Sequence, residues 1–507
     1  MANLDIIVLI AYVLLVTGFG CLFYRRSSDV EGFMVAHRRL PGWVVGLSIF
    51  GTYLSSISFL ALPGKAYAAN WSAFVFSLSL PFAAWVATRW FIPLYRSTGD
   101  VSAYAYLERR FGLWARLYAL VFYLLTQLAR MGTIFFLVAL AMETLTGWDL
   151  PSIIIITGIL VTLYTFVGGI EAVIWTDAIQ SVILTLGALV SVLTIIWIMP
   201  GGVGQVIEIA SDAGKTSLGS FDLAFTEQGF WLVMLYGIFI NLQNFGIDQS
   251  YVQRYQTARS MTDARRSVWI GALTYIPVSA LFLFLGTALY AFYQLELGSL
   301  PIEVTGDRVF PHFIVNELPA GLTGLVIAAL FAAAMSSADT SMNSSASLLM
   351  NDVYLRLLKP QASAESQIRF LRGMTLVLGI LGTSTALLMI SIKGALDAWW
   401  SLAGIFSGGM LGLFLLGVLS QRARSFEAAT AVVIGVLVIT WASLSPGYDT
   451  WWANPLHSFM TIIIGTLTIF LVGVMLSRGR EPMVKSAPPN TLFDMKEYNY
   501  VYQFGFT

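Results

Sequence analysis

Charge is what this sequence has least of. Of its 507 residues only 11% are Asp, Glu, Lys or Arg, 57% are hydrophobic, and the mean hydropathy is +0.77. A soluble globular domain carries about 25% charged residues. So few charges cannot coat a water-facing surface, and most of this one must face lipid. The formal net charge of +0 argues against a nucleic-acid partner, which needs a basic face. Cysteine is reduced to Cys21, in an apolar run, which excludes a disulfide within the chain and a thiolate metal cluster. Three histidines, His37, His312 and His457, are too scattered for a metal centre or a catalytic group. No enzyme is expected.

What is abundant is the long apolar run. A spanning helix needs about 20 mostly apolar residues, and about thirteen windows qualify: 4–24, 42–69, 72–95, 113–147, 151–167, 171–199, 229–253, 264–293, 319–356, 366–392, 396–420, 425–444 and 454–478. The expected fold is an all-α polytopic membrane protein. Windows longer than one crossing must tilt, kink or project into water. No Lys or Arg precedes the first window, and Arg25 and Arg26 follow it. A cleavable signal has the reverse order, so a retained helix with its N-terminus outside is expected. Short inner loops collect Lys and Arg. That orientation puts Arg38, Arg39, Arg96, Arg109, Arg110, Arg254, Arg259, Arg265, Arg266, Lys359, Arg369, Arg372, Arg422 and Arg424 inside. Arg478, Arg480 and Lys485 fall in a cytoplasmic tail, and the outer loops keep only Lys215, Arg308 and Lys393. One transmembrane bundle over 1–478 and a tail over 479–507 are expected, with short surface helices in the polar outer connections 200–228 and 294–318.

Polar groups and helix breakers at mid-depth carry the function of such a protein. In the second window, Gly51-Thr52-Tyr53-Leu54-Ser55-Ser56-Ile57-Ser58 precedes Pro63 and Gly64. Serines compete with the helix ladder, and unwinding here frees carbonyls for a cation. Close helix packing is the alternative. In the ninth window, at roughly 100° per residue, Ala333, Ser336, Ser337 and Thr340 share a face, with Asp339 on its flank. Sodium takes oxygen ligands, as calcium and magnesium do, and a packing face explains the small residues but not a buried carboxylate. In the sixth window, Glu171 suits a helix start, whereas Asp177 lies deeper and needs a partner. Arg130 is the cation expected near it at mid-span, and an Arg130–Asp177 structural pair is one reading.

GGIEAVIWTDAIQ, AALFAAAMSSADTSMNSSASLLMNDVY, YVQRY at 251–255 and FGTYLSSISFLALPGKAYA together resemble the sodium:solute symporter family, over nearly the whole chain. SSIS, KAY, YLERRF, VIWTD and VQRY are most similar to its bacterial sialic acid symporters. The resemblance implies a leucine-transporter-type fold. Five helices over about 42–199 form one repeat, five over about 229–420 its inverted copy, and 425–478 holds the extra helices. It fits a disrupted second helix and the polar cluster Asn241, Gln243, Asn244, Gly246 and Asp248 in the seventh.

The resemblance also implies a general sodium site from the carbonyls of Gly51, Leu54 and Ala333 and the hydroxyls of Ser336 and Ser337. A second sodium site falls on Asp177, Ser336, Asp339 and Thr340. Asp339 replaces a serine there, which either strengthens the site or makes it a proton site. For substrate it implies Arg130 on a carboxylate, with Ser55, Ser56, Ser58 and Asn241 in the pocket. Tyr53, Ala73 and Ser77 stand where that branch has threonine, phenylalanine and glutamine.

The function implied is sodium-coupled import of a small organic solute, a carboxylated sugar such as sialic acid, by alternating access. One or two Na+ ions, a monomer and a multi-pass place in the cell (inner) membrane are expected. The rivals are a symporter for a neutral sugar or polyol, with Arg130 paired to Asp177, and a membrane sensor that binds solute without moving it.

Overall fold

The computed structural model describes residues 2–23, 29–167, 169–391, 395–447 and 451–482. Arg25, Arg26, Gly168, Lys393, Lys485 and the tail from 483 lie outside the described residues. Among the described residues the chain is all-helical, with one isolated bridge between Leu40 and Ala258. Ten helices are long and apolar enough to cross a membrane, and a pair bent by 57°, Gly42–Tyr53 and Ile57–Ala68, makes an eleventh. Two shorter apolar helices, Leu150–Leu163 and Met460–Leu476, complete the thirteen expected windows.

The helices turn their polar faces inward. On Ile170–Ile198, Val182, Leu186, Leu189 and Leu193 are exposed along one stripe. Asp177, Gln180, Ser181, Ala188 and Ser191 are buried on the other side. A bundle in lipid requires this arrangement, because polar side chains find partners only within it. Met261–Gln294 has 34 residues, about 51 Å at 1.5 Å each, well beyond a hydrocarbon core of about 30 Å. A helix of this length must tilt, kink or project, as the long windows require.

Two helices are broken. Leu54 (φ −79°, ψ 106°) interrupts the second, between Gly42–Tyr53 and Ile57–Ala68. Asp248 (φ −73°, ψ 125°) interrupts the seventh, between Phe230–Ile247 and Gln249–Thr257. Met261–Gln294 packs against the half of the second helix that follows the break, where a Cβ on Gly286 would run into the Pro63 carbonyl oxygen. Glycine alone permits that approach. The polar connections 200–228 and 294–318 hold the short helices Gly202–Asp212 and Val309–Asn316, as expected.

Candidate functional site

The break in the second helix is stitched by its own hydroxyls. Ser55 Oγ accepts from the Ile57 amide (3.2 Å), and Ser58 Oγ donates to the Tyr53 carbonyl (3.1 Å). The freed carbonyl of Thr52 accepts from the guanidinium of Arg130, which comes from Leu113–Thr146. Ser56 Oγ instead donates to the Ile134 carbonyl at 3.2 Å, so it joins helices and does not face the cavity described below.

Asp177 does not pair with Arg130. It accepts from Arg254 Nη2 (2.7 Å), Ser48 Oγ (2.6 Å) and Ser336 Oγ (2.6 Å). Arg254, expected in an inner loop, is wholly buried on the short helix Gln249–Thr257. Its guanidinium also donates to Ser48 Oγ (2.8 Å), Thr340 Oγ1 (2.7 Å) and the Ser250 carbonyl (2.7 Å). One cation thus ties the second, sixth, seventh and ninth helices. Arg130 is left with no ion pair among the described residues.

The positions expected around the general sodium site are all buried: Gly51, Leu54, Ala333, Ser336 and Ser337. A Cβ on Gly51 would lie 3.1 Å from the Asp177 carbonyl oxygen, and Ser336 donates to the Asp177 carboxylate, so the second, sixth and ninth helices meet here. Ser337 Oγ is buried without a hydrogen-bond partner among the described residues, and so are both carboxylate oxygens of Asp339. The Thr340 amide and hydroxyl lie beside Asp339 without forming a bond of regular geometry. Of the two buried carboxylates, Asp177 pairs with Arg254, whereas Asp339 has no ion pair among the described residues. Buried oxygens without partners beside two carboxylates suit a hard cation.

Beside this cluster a partly open cavity runs between the two broken helices. Tyr53, Ser55, Ser58, Ala73, Ser77 and Arg130 line it, as do Gln127, Asp248, Tyr251 and Trp400. Asn241 sits behind the wall, accepting from Tyr53 Oη (2.6 Å) and donating to Ser79 Oγ (2.8 Å). Tyr53 packs against the rings of Tyr251 and Tyr275 at centroid distances of 5.5 and 5.1 Å. An arginine, a carboxylate, hydroxyls and aromatic rings around one space suit a polar solute.

Two broken helices facing a polar cavity at the centre of a helical bundle are the mark of a secondary transporter. The model of the sodium:solute symporter family matches residues 33–435. The chain belongs to that family. A sodium/sialic acid symporter of Aliivibrio fischeri is 33% identical over 491 residues, 96% of this symporter and 94% of the relative. The solved structure of a Na+-coupled sialic acid symporter, in a substrate-bound outward-open state with a novel Na+ site, superposes with a TM-score of 0.87. It is 30% identical and covers 95% of this chain and 99% of that one. A nucleobase-cation-symport-1 family transporter shares the fold alone, at 15% identity and a TM-score of 0.57 over 92% of this chain and 98% of its own. The leucine-transporter-type architecture, sodium coupling and a role as a multi-pass membrane transporter, not an enzyme, follow.

Sequence reasoning gave no site role to Arg254, Ser48 or Asp248. For Arg254 a signal existed. Gln249–Thr257 is polar yet buried throughout, and YVQRY sits within it. Ser48 lies one turn before Gly51, on the helix that ends at the break.

Proposed function

We propose that this symporter imports a carboxylated sugar of the sialic acid type, driven by sodium moving inward through alternating access. The observation that carries this reading is Arg130, a guanidinium on the cavity wall that the described residues leave without an ion pair. A mid-span arginine costs roughly 2.5–3.5 kcal/mol on insertion scales and calls for an anion. The substrate carboxylate supplies it, held by the two parallel bonds that only a guanidinium offers. Sialic acid, named for the 33%-identical relative and for the 30%-identical solved structure, supports the same choice. Tyr53, Ser55 and Ser58 face the remainder of the solute, and Ala73 and Ser77 leave room for it. Asn241 fixes Tyr53, and Ser56 supports the break.

Sodium takes the carbonyls of Gly51, Leu54 and Ala333 and the hydroxyls of Ser336 and Ser337. A second cation, sodium or a proton, is held near Asp177, Asp339, Ser336 and Thr340. Each net charge moved inward gains roughly 2.3 kcal/mol per 100 mV, so two sodium ions concentrate even an anion. The protein works as a monomer in the inner membrane, with one bundle over 1–478, its N-terminus outside and the tail 479–507 inside. A neutral-sugar symporter is not favoured, since Asp177 already has Arg254. A thermal-shift screen of sugars, sugar acids and amino acids, in sodium and in choline, tests the reading. Stabilisation by sialic acid in sodium alone is expected, and stabilisation by a neutral hexose in its place contradicts it.

A further inference from the structure

At the outer end of the cavity an ion pair stands apart from the sites above. Lys65, on the outer half of the second helix, donates to Asp397 at 2.8 Å, at the start of the eleventh helix, Ala395–Leu419. Gln228 donates to the other oxygen of the carboxylate at 3.2 Å. Leu62, one turn nearer the break than Lys65, lines the cavity, and so does Trp400, one turn inward of Asp397. The pair therefore bridges two helices across the cavity at the end away from the Arg-rich connections, which is the outer mouth.

Its side chains are 21% and 42% exposed, so water and solutes reach it. An ion pair this exposed contributes little to folding. Its position matters more, because charge at the mouth of a cleft steers oppositely charged solutes. A lysine ammonium is a mobile point charge with three donors, able to exchange one carboxylate for another. Asp397 presents to Lys65 the same group that a carboxylated solute carries.

We propose that Lys65 is the first docking point for the substrate carboxylate, and that Asp397 is its stand-in, latching the second and eleventh helices together while no substrate passes. The proposal rests on the carboxylated-substrate reading. An arriving carboxylate displaces Asp397 from Lys65, the mouth loosens, and the solute moves inward to Arg130.

The test uses the purified full chain and follows tryptophan fluorescence after rapid mixing with sialic acid. Sodium is held constant while choline chloride sets the ionic strength. Lys65→Gln should slow association by about three- to tenfold at low ionic strength and flatten its salt dependence. Asp397→Asn, which leaves Lys65 unclaimed, should speed association. Equal association rates and equal salt slopes in the wild type and Lys65→Gln overturn the docking role. In a second arm, Cys21→Ser removes the native thiol and Ala403→Cys places a reporter in the cavity wall. Asp397→Asn should raise the rate of labelling by an impermeant maleimide several-fold, and an unchanged rate overturns the latch. A wild type that binds no sialic acid overturns the substrate reading and the docking role with it, and the labelling rate then decides the latch alone.

Discussion

Ser337 and Asp339, the proposed cation ligands, present buried oxygens without a hydrogen-bond partner among the described residues. An interaction with a charged group is worth about 1.5–3 kcal/mol. Ser337→Ala should therefore raise the sodium concentration for half-maximal uptake roughly tenfold or more, with thermal stability in choline unchanged. The same half-maximal concentration in the variant would remove Ser337 from the site. Asp339→Ser should keep uptake but alter the charge moved per solute or its pH profile, measured by electrogenic transport in proteoliposomes. Wild-type values for both would leave Asp339 a packing residue. Arg254 allows a sharper contrast. Stripping a buried pair of one partner costs about 3–5 kcal/mol, so Arg254→Met should lower the unfolding temperature clearly more than Arg254→Lys. Asp339 was legible because a carboxylate in an apolar span has no bland explanation. Arg254 was not, because Arg259, Arg265 and Arg266 follow it and composition alone reads them as one inner loop.

At the scale of elements, the break of the second helix at Leu54 is what lets its carbonyls and hydroxyls serve both proposed sites, for sodium and for substrate. Glycine, three serines and a proline within one window made that break readable. The polar cluster from Asn241 to Asp248 marked the seventh helix as the counterpart of the broken second, but the window 229–253 could not place the break, since periodicity does not register a single extended residue such as Asp248 (ψ 125°). The half of the second helix that follows the break is held by the bare face of Gly286. Gly286→Leu should force it away from Pro63, with loss of sialic-acid-induced stabilisation in a thermal-shift assay, whereas Gly373→Ala, at a glycine with open space around it, should behave as wild type. Retained stabilisation in Gly286→Leu would show that this half adapts freely.

For the molecule as a whole, the apolar windows and the alternation of Arg-rich loops were enough to anticipate the helix layout. Lipid forces every polar backbone group into a helix, so length and charge speak almost alone. The inverted repeat was legible only through the resemblance, because its two halves are related by shape and not by matching residues. In a Cys21→Ser background, Glu303→Cys should react with an impermeant thiol reagent on intact cells, and Arg265→Cys only after permeabilisation. Labelling of both from outside would refute the orientation. The most direct test of the account is uptake of labelled sialic acid into proteoliposomes under an inward sodium gradient. The account predicts accumulation above the external concentration, none when choline replaces sodium, and none in Arg130→Lys although sodium still stabilises that variant. Uptake that is indifferent to sodium, or undiminished in Arg130→Lys, would contradict it.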